Sequence, residues 1–258
     1  MSKLDGKILV TGGAGSIGSE IVRQLLPFQP KKLIVLDQAE TPTYDLELMI
    51  NEKYHYPALE TVIADVRQAD RMRRVFEAFR PEVVFHAAAY KHVPVMENNP
   101  SEAILTNVHG TRVTADLADE FGTEKFILIS TDKAVNPTNI MGATKRIAEI
   151  YCQSLGRKSK TRFITTRFGN VLDSNGSVIP RFKKQIEEGG PVTVTHPEIT
   201  RFFMTIPEAC QLVLEAGATG SGGEIYIFDM GKSVRILDLA KKMIRLSGLT
   251  EGQDIQIV

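Results

Sequence analysis

Short apolar runs rich in β-branched residues alternate along this chain with longer segments in which apolar residues recur at helical spacing. The six apolar runs lie at 7–12, 32–37, 59–65, 82–88, 125–131 and 162–168. The helical patterns lie near 16–26, 43–53, 68–79, 98–121 and 140–156. Continuous apolar runs are typical of strands buried on both faces, and helical crossovers between them bring successive strands parallel. The alternation therefore predicts an α/β fold with a doubly wound parallel sheet.

The regular alternation of apolar runs and helical patterns ends at about residue 170. The elements predicted beyond it are a turn-rich segment, short strand-like runs, helices near 207–216 and 235–247, and a strand at 224–230. A chain of 258 residues is long enough for one large domain with a small appendage. We therefore expect a first domain over 1–170 and a small C-terminal lobe over 171–258, with strand 224–230 returning to the main sheet.

The charge balance gives no support to binding of nucleic acid or of an anionic membrane surface, and the cysteine spacing gives none to a metal or redox site. Lys plus Arg and Asp plus Glu each number 31, so no net charge favours nucleic acid or an anionic membrane surface. Cys152 and Cys210 lie far apart without the spacing of a metal or redox site, which fits a reducing cytoplasm. No apolar run approaches the roughly 20 residues of a membrane helix. The sequence therefore predicts a soluble, cytoplasmic segment.

The segment TGGAGSIGSE follows the first predicted strand and opens the first predicted helix. Gly12, Gly15 and Gly18 have the spacing that permits a tight turn, close backbone approach to a pyrophosphate, and close helix–strand packing. Ser16 and Ile17 then begin a helix whose N–H groups and positive dipole end suit phosphates. Because the motif lies between a strand and a helix, it predicts a dinucleotide-binding loop.

Acidic and small residues follow the next strands at positions that suit the same ligand. The carboxylate of Asp37, at the end of the second strand, can accept hydrogen bonds from ribose hydroxyl groups and would repel a 2′-phosphate, which favours NAD over NADP. Asp65, followed by Val66, can reach the adenine amine, cap the third helix, or do both. Ala87 and Ala88 follow the fourth strand, where bulkier side chains would block a cofactor.

In this glycine loop and in Asp37, the chain resembles the extended short-chain dehydrogenase/reductase superfamily. The segments that narrow the resemblance are HAAAYKHVPVMENNP, TNVHGT, STDKAVNPTN, RFGNVL, SNGSVIP and THPEITRFFMT. They are similar to the nucleotide-sugar 4,6-dehydratases of bacterial polysaccharide biosynthesis, and the similarity spans nearly the whole chain. It implies a Rossmann-type domain that binds NAD and a small C-terminal lobe that binds a UDP-sugar substrate, UDP-N-acetylglucosamine.

The resemblance also implies a reaction in three steps. Carbon C4 of the sugar gives its hydride to NAD, the C5 proton leaves as water is expelled from C6, and hydride returns to C6. The 4-keto group makes the C5 proton acidic enough to remove, so one bound cofactor is used and regenerated. Proton transfer is therefore needed at O4, at C5 and at O6.

By the same resemblance, the segment STDK supplies an acid and a base. Related dehydratases that act on dTDP-glucose carry Asp-Glu after the Thr, where this chain has Asp132 and Lys133. Asp132 is matched to the acid that protonates O6, and Lys133 is matched to the base at C5. A lysine acts as a base only where desolvation or a nearby cation lowers its pKa. Lys145 is matched to the lysine that holds the nicotinamide ribose.

The residue four positions before Lys145 departs from the superfamily pattern. The superfamily has a catalytic tyrosine there, but this chain has Met141, whose thioether neither donates nor accepts a proton usefully. The membrane-associated branch of these dehydratases also has methionine at this position. We therefore expect Thr131 with a bound water, or Asp132, to handle the O4 proton. That branch commonly carries an N-terminal membrane region, which would put this domain at the cytoplasmic membrane face.

Three further side chains are predicted to contact the substrate. Lys91 can reach the sugar or a phosphate, although an exposed loop lysine explains it equally well. Asn170 is placed by the resemblance against the diphosphate, and the guanidinium of Arg201 suits a phosphate or an ion pair within the lobe. Asn107 is predicted to tie strand and helix backbones together, and His86 is predicted to pack in the core.

Two alternative functions remain open from the sequence. A nucleotide-sugar 4-epimerase would share the oxidation at C4 without needing the Asp132–Lys133 pair. A non-catalytic NAD-binding protein would explain the missing tyrosine, but it has no reason to keep Asp132, Lys133 and Lys145 together. We also expect a homo-oligomer in which the helices near 98–121 and 140–156 pair across a two-fold axis. The last segment, DIQIV, looks like the start of a strand, so we expect the natural protein to continue.

Overall fold

The computed structural model describes residues 6–172, 174 and 176–258, which form two compact units. The first unit contains the described residues up to Arg167 together with Cys210–Phe228. The second unit contains the described residues of Phe168–Ala209 and Asp229–Val258. The division near residue 170 lies close to the predicted boundary, but residues 210–228 belong to the first unit instead of a continuous C-terminal lobe.

A seven-stranded sheet forms the centre of the first unit. The strands of the chain are β1 Lys7–Thr11, β2 Lys32–Asp37, β3 Leu59–Ile63, β4 Val83–His86, β5 Lys125–Thr131, β6 Arg162–Phe168, β7 Asn170–Val171, β8 Thr200–Arg201, β9 Phe203–Met204, β10 Ile225–Ile227 and β11 Val234–Arg235. The order in the large sheet is β3-β2-β1-β4-β5-β6-β10, with parallel pairing of β1 to β2 and β4, β2 to β3, β4 to β5, and β6 to β10. The predicted doubly wound sheet is confirmed, and its order reverses between β1 and β4, where such sheets leave a ligand crevice.

Helices cover this sheet and account for its apolar strands. The helices of the chain are α1 Ser16–Leu25, α2 Glu40–Tyr54, α3 Ala69–Phe79, α4 Val93–Asn98, α5 Pro100–Ala103, α6 Thr111–Glu120, α7 Ile140–Gly156, α8 Val178–Glu187, α9 Ile206–Thr219 and α10 Ile236–Leu246, of which α8 and α10 lie in the second unit. A π-helix, Ile104–Gly110, joins α5 to α6, and short 3-10 turns lie at Leu26–Phe28 and Asp132–Ala134. β1, β2, β4 and β5 are buried along almost their whole length, as expected for strands covered on both faces.

The differences from the predicted elements have local causes. The helix predicted over 98–121 is divided into α5, the π-helix and α6, and α4 precedes it. Pro94 and Pro100 lie in the first turns of α4 and α5, where proline is tolerated but cannot continue a preceding helix. The sequence pattern also does not predict α8, which begins directly after a turn rich in glycine and serine.

Residues 210–228 belong to the first unit because α9 and β10 bury apolar surface on its sheet. A Cβ on Gly217 of α9 would lie 3.3 Å from the side chains of Phe85 and Ile127, so the helix lies directly on β4 and β5. The ammonium of Lys125 donates hydrogen bonds to two carbonyl oxygens near the end of α9, at 2.6 and 2.9 Å. β10 then pairs with β6, as predicted for the strand that returns to the main sheet.

The second unit is built from α8, α10 and short strands. β7 pairs in parallel with β9, and β8 pairs antiparallel with β11. Its apolar core includes Phe182 and Ile186 of α8, Ala240 and Ile244 of α10, and Ile255. Across residues 6–172, 174 and 176–258, no helix has both the length and the apolar composition needed to span a bilayer.

Candidate functional site

A pocket opens at the carboxyl ends of β1, β2 and β4 in the first unit. The residues that line it are Gly12, Gly15, Leu36, Asp37, Gln38, Ala64, Asp65, Val66, Ala87, Ala88, Ala89, Tyr90 and Thr106. Ser16, Ile17 and Gly18 lie in the first turn of α1 directly after Gly15, and Lys145 lies on α7. Most of the residues predicted to contact a cofactor are therefore brought together around one pocket.

The glycine loop between β1 and α1 is shaped by contacts that leave no space for side chains. Gly12 has a φ of 64°, and a Cβ there would lie 2.6 Å from the backbone nitrogen of Ala88. A Cβ on Gly18 would collide with the carbonyl oxygen of Gly12, so glycine lets α1 lie directly on the loop. The N-cap residue of α1 is Gly15, which has no side chain to cap the helix, so the first turn can offer N–H groups to an anion.

The carboxylate of Asp37 is held at the edge of the pocket by two backbone N–H groups. Ala14 donates to its Oδ2 at 3.1 Å, and Ala39 donates to its Oδ1 at 3.0 Å. These bonds fix the carboxylate beside the glycine loop and leave further lone pairs on both oxygens. The arrangement suits an acceptor of ribose hydroxyl groups, and the negative charge disfavours a nearby phosphate.

The carboxylate of Asp65 also lines the pocket, but Arg67 engages it. The backbone N–H of Arg67 donates to Oδ1 at 2.9 Å, and its guanidinium contacts Oδ2 at 2.6 and 2.7 Å. Burial raises the pKa of Asp65, but the hydrogen bonds from Arg67 outweigh it and hold that pKa below its usual value. The N-cap of α3 is Gln68. The capping role predicted for Asp65 is therefore wrong, because its carboxylate is hydrogen-bonded to Arg67 instead.

Thr106 is a pocket residue that the sequence patterns do not single out. It lies on the π-helix Ile104–Gly110, a kind of helix that is frequent at functional sites. Its hydroxyl group is buried and has no hydrogen-bond partner among the described residues. Such a group costs free energy unless a ligand or water satisfies it. This hydroxyl, the glycine loop and Asp37 together fit a dinucleotide, and the place of Thr106 in the motif TNVHGT is the signal that could have found it.

Asn107 connects the loop after β4 to α7. Its Oδ1 accepts from the backbone N–H of Tyr90 at 2.8 Å, and its Nδ2 donates to the Tyr90 carbonyl and to Thr144 Oγ1, both at 3.0 Å. Thr144 donates in turn to the carbonyl oxygen of Met141 at 2.8 Å. Asn107 therefore ties two backbone segments together beside the pocket, in the structural role predicted for it.

His86 is fully buried at the end of β4, between two threonines. Thr111 donates its hydroxyl proton to the Asn107 carbonyl at 2.7 Å, so it accepts from Nε2 of His86 at 3.0 Å. Thr11 then donates to Nδ1 of the same ring at 2.8 Å. Burial, with a smaller contribution from the positive charge of Lys145, lowers the pKa of His86 to about 3. The neutral ring is a core element, as predicted.

Thr131, Asp132 and Lys133 form a tight turn where β5 ends. The hydroxyl of Thr131 donates to Asp132 Oδ1 at 2.9 Å, and the ammonium of Lys133 donates to the same oxygen at 3.1 Å. Thr131 Oγ1 also accepts from the backbone N–H of Lys133 at 3.4 Å. A hydroxyl, a carboxylate and an ammonium group thus share one set of hydrogen bonds, along which protons can move.

The start of α7 lies against this turn. Asn139 caps the helix by accepting from the backbone N–H of Gly142 at 2.8 Å, and Gly142 faces the carbonyl of Lys133 too closely for a Cβ. Met141, which is 4% exposed, packs in an apolar cluster with Met96 of α4 and with α5. The residue four positions before Lys145 is therefore a buried apolar side chain at the start of the helix that lies against the turn of Thr131, Asp132 and Lys133.

Lys145 lies one turn further along α7 and is 5% exposed. Burial lowers the pKa of its ammonium to about 8, while the charge of Glu149 acts in the opposite direction. The side chain is therefore mostly charged at neutral pH and titrates just above it. A charged ammonium can donate hydrogen bonds to ribose hydroxyl groups, which is the role predicted for Lys145.

The predicted substrate contacts fall in both units. Lys91 lies on the loop between β4 and α4 of the first unit, where desolvation lowers the pKa of its ammonium. Asn170 begins β7 and Arg201 ends β8, both in the second unit. The exposed guanidinium of Arg201 donates to the carbonyl oxygen of Thr200 at 2.8 Å. The substrate contacts of all three side chains stay predictions.

Known proteins share this sequence over most of its length. The family described as polysaccharide biosynthesis protein matches residues 8–258. The capsular polysaccharide biosynthesis protein CapD of Staphylococcus aureus is 58% identical over 252 residues, which are 97% of this chain and 42% of that protein. The chain thus spans about two fifths of the length of CapD.

Two further relatives are enzymes of nucleotide-sugar metabolism by name. The UDP-N-acetylglucosamine 4,6-dehydratase (inverting) of Campylobacter jejuni serotype O:2 is 38% identical over 258 residues, covering 96% of this chain and 75% of that protein. The UDP-glucose 4-epimerase of Rickettsia rickettsii is 34% identical over 265 residues, covering 97% of this chain and 76% of that protein.

Solved structures share the fold. Pen from Bacillus thuringiensis is 36% identical with a TM-score of 0.93, and the alignment covers 100% of this chain and 80% of that one. The dTDP-glucose 4,6-dehydratase DesIV from Streptomyces venezuelae, solved with NAD bound, is 25% identical with a TM-score of 0.86, covering 98% and 84% of the two chains. Because the family matches all but the first seven residues, the chain belongs to the polysaccharide biosynthesis protein family.

Proposed function

We propose that this chain is the catalytic domain of an NAD-dependent nucleotide-sugar 4,6-dehydratase. This lyase would convert UDP-N-acetylglucosamine to a UDP-4-keto-6-deoxy-N-acetylhexosamine for surface polysaccharide. The observation that carries the proposal is the Asp132–Lys133 pair, whose charged atoms lie 3.1 Å apart at the end of β5. Elimination of water needs an acid and a base beside the sugar, and this pair provides both. The relative from Campylobacter jejuni carries the name of this activity.

NAD is the cofactor that the pocket suits. Gly12 and Gly15 would lie against the pyrophosphate, Asp37 would accept from the adenosine ribose, and the buried hydroxyl of Thr106 offers a further contact. Lys145 would hold the nicotinamide ribose through its ammonium group. The other proposed contacts are made by Ser16, Ile17, Gly18, Asp65, Val66, Ala87 and Ala88. When bound, NAD would supply acceptance of a hydride from the sugar and its later return.

The preference for NAD over NADP rests on the fixed negative charge of Asp37. Its two backbone hydrogen bonds hold it beside the loop, so a 2′-phosphate could not avoid it. Titration of the protein with each nucleotide should give the tighter affinity for NAD. Equal or tighter binding of NADP would overturn this assignment.

The O4 proton leaves through Thr131 and Asp132, because Met141 cannot accept it. The Thr131 hydroxyl passes its own proton to Asp132 Oδ1, 2.9 Å away, as it takes the proton from O4. This relay leaves Asp132 as a carboxylic acid and restores the hydroxyl of Thr131. Thr131 and Asp132 together thus carry out the O4 deprotonation that the superfamily tyrosine would perform.

Elimination uses the protonated Asp132 and the amine form of Lys133, so the Lys133 ammonium that pairs with Asp132 at rest must first release a proton to solvent. The amine takes the proton from C5 of the 4-keto sugar, and Asp132 gives its proton to the C6 hydroxyl group, which leaves as water. The two side chains become an ammonium and a carboxylate, which attract each other across 3.1 Å. Lys133 returns its proton to C5 as the product forms, so the amine and the carboxylate are restored for the next cycle.

Substrate contacts are proposed for three side chains outside the acid–base turn. Asn170 and Arg201 would contact the diphosphate of the UDP-sugar, since amide and guanidinium groups donate hydrogen bonds to phosphate oxygens. Lys91 would contact the sugar or a phosphate. Arg201 is best suited to this role, because its exposed guanidinium has N–H groups beyond the one that contacts Thr200.

A homo-oligomer and a position at the membrane complete the proposal. Four apolar side chains on the π-helix and α7 are between 42% and 51% exposed, and a partner subunit would cover them; they are Ile104, Leu105, Ile147 and Ile150. We propose that these helices pair across a two-fold axis and that the full-length protein places this domain at the inner face of the cell membrane. Sedimentation that gives a monomer at micromolar concentration would contradict the pairing.

Identification of the product tests the proposed reaction. The chain and the corresponding full-length protein are incubated with UDP-N-acetylglucosamine and NAD, and the products are identified by NMR. A 6-deoxy-4-keto sugar is expected. A product that differs only in configuration at C4 would establish the epimerase instead, which the 34% identical relative from Rickettsia makes the second candidate. Bound NAD without turnover in either protein would point to a non-catalytic role.

A further inference from the structure

Glu149 is a fully buried carboxylate on α7 that the proposed reaction does not use. Its Oε1 accepts from Ser130 Oγ at 2.6 Å and from Arg167 Nε at 2.8 Å. Its Oε2 accepts from Arg167 Nη2 at 2.5 Å and from Arg146 Nη1 at 3.1 Å. Four donors from three elements thus converge on one side chain in the first unit.

Stability alone does not account for this arrangement. Taking a carboxylate and a guanidinium out of water costs so much that well-packed apolar residues often stabilise a protein as well or better. The location of Glu149 is more informative. Ser130 directly precedes Thr131 in β5, and Lys145 lies one helical turn before Glu149 on the same helix. The carboxylate therefore joins the strand that carries the acid–base turn to the helix that carries Lys145.

The charge of Glu149 also acts on Lys145, which lies four residues before it on α7. On α7, the groups that act on the Lys145 ammonium are Glu149 and Cys152. Burial raises the pKa of the Cys152 thiol to about 12, so it is neutral at neutral pH. His86 on β4 is neutral as well, and on the turn against the start of α7 Asp132 and Lys133 are paired with each other. Among these groups, Glu149 is the one whose negative charge acts on Lys145.

The carboxylate of Glu149 stays ionised in spite of its burial. Desolvation raises the pKa of Glu149, but the hydrogen bonds from Arg167, Ser130 and Arg146 outweigh it and keep that pKa below its usual value. For Lys145, burial is the larger effect. It lowers the pKa to about 8, although the charge of Glu149 acts to raise it. The hydrogen bonds to Glu149 therefore maintain a negative charge beside an ammonium that is otherwise close to losing its proton.

We propose that Glu149 is a positioning residue of the active site, which keeps Lys145 in its charged form and holds α7 in register with the end of β5. This inference deepens the proposed function, because the charged Lys145 is the form assigned to the nicotinamide ribose. Glu149 itself touches neither cofactor nor substrate. Its effect reaches the ligand through the charge of Lys145 and through the hydrogen bond to Ser130.

The titration of Lys145 itself provides a test that needs no cofactor. The lysine side chains are labelled with ¹³C, the Lys145 signal is assigned with the variant Lys145→Arg, and its pKa is followed by NMR. An opposite charge within about 4–6 Å shifts a pKa by about one unit or more, and side chains four residues apart on a helix are neighbours. The midpoint of Lys145 should therefore fall by about one unit in Glu149→Gln, while Glu149→Asp should retain most of the wild-type value.

Two further variants separate the charge of Glu149 from the integrity of the fold. Glu149→Gln leaves the buried guanidinium of Arg167 without its partner and can fail to fold. The double variant Glu149→Gln, Arg167→Met removes both charges, so it is compared with Arg167→Met, which keeps Glu149; the Lys145 midpoint should be about one unit lower in the double variant than in Arg167→Met. The matched control is Arg146→Gln, which removes one hydrogen bond to Glu149 and keeps its charge, so the midpoint should stay near the wild-type value.

The outcome distinguishes this inference from the proposed function. A Lys145 midpoint that is the same in the folded double variant as in Arg167→Met would overturn the role of Glu149, whatever the enzyme catalyses. Failure of the wild-type protein to bind NAD or to turn over UDP-N-acetylglucosamine would overturn the proposed function, and the Lys145 titration would still decide on Glu149. If the role of Glu149 and the proposed function are both correct, NAD affinity at pH 8 should fall in Glu149→Gln and be largely restored in Glu149→Asp.

Discussion

The carbonyl oxygen of Lys133 lies against Gly142 so closely that α7 can have no side chain at that position. Gly142→Ala should therefore push the turn of Thr131, Asp132 and Lys133 away from the helix. A displacement of about 1 Å can cost on the order of 10²-fold in rate, because acid and base groups act only over hydrogen-bonding distances. We expect a fall in turnover of that order, measured with UDP-N-acetylglucosamine, and little change in NAD affinity.

Gly156 on the same helix provides the matched control for Gly142→Ala. A Cβ on Gly156 would lie 3.4 Å from Phe163, which is an ordinary contact. Alanine is also preferred to glycine within helices by about 1 kcal/mol. Gly156→Ala should therefore leave turnover unchanged and should not lower the free energy of unfolding. Wild-type turnover in Gly142→Ala would show that the turn tolerates displacement.

Removal of the acid or the base should affect different steps of the reaction. Lys133→Ala and Asp132→Asn should each lower turnover by about 10²- to 10⁴-fold, the usual contribution of a positioned acid or base. Lys133→Ala should also block exchange of the C5 proton with solvent deuterium, while oxidation at C4 persists as NADH absorbance. Asp132→Asn should slow oxidation at C4 itself, because its amide cannot take the O4 proton through Thr131, so little NADH absorbance should form. NADH absorbance of equal size in the two variants would contradict the separate roles.

The depressed pKa of Lys145 makes NAD affinity dependent on pH. With a pKa of about 8, the ammonium loses its proton as the pH rises through that value, and the amine loses the charge that favours binding. We expect NAD affinity to be flat near neutral pH and to fall above pH 8. The variant Lys145→Met should bind NAD more weakly and should not show this fall. An equal decline in Lys145→Met would assign the pH dependence to another group.

The same pKa predicts how stability changes with pH. The folded-state pKa of Lys145, about 8, lies below the ordinary value of 10.5, so between these values the unfolded chain binds more protons than the folded protein. Stability from this group therefore rises with pH across that window, and the buried charge destabilises the folded state below it. Urea unfolding of wild type and Lys145→Met should show a difference that narrows as the pH rises from 8 toward 10.5.

The sheet and the glycine loop could be predicted because their determinants are local in sequence. Continuous apolar runs mark the strands, and the glycines lie within one short segment. Thr106 and Glu149 could not be predicted in the same way. The pocket that surrounds Thr106 is formed by strand ends far away in sequence. Glu149 on an amphipathic helix looks exposed until Arg167, 18 residues later on β6, is brought beside it.

The capping role predicted for Asp65 shows the limit of local rules. An acidic residue before a helix is a frequent cap, but Arg67, two residues later, offers a backbone N–H and a guanidinium to the same carboxylate. The carboxylate is therefore hydrogen-bonded before α3 begins at Ala69, and the helix has no side-chain cap.

Met141 gives the sharpest test of the relay through Thr131 and Asp132. Met141→Leu keeps the volume of the apolar cluster with Met96 and should leave substantial turnover, since the thioether has no chemical role. Met141→Ala should also turn over substrate while folded, although the cavity should lower stability by about 2–5 kcal/mol. Met141→Tyr need not increase turnover, because its phenol would be forced into an apolar cluster beside an existing relay. If Met141→Leu is as inactive as Lys133→Ala while folding and NAD binding are intact, the O4 proton does not leave through Thr131 and Asp132.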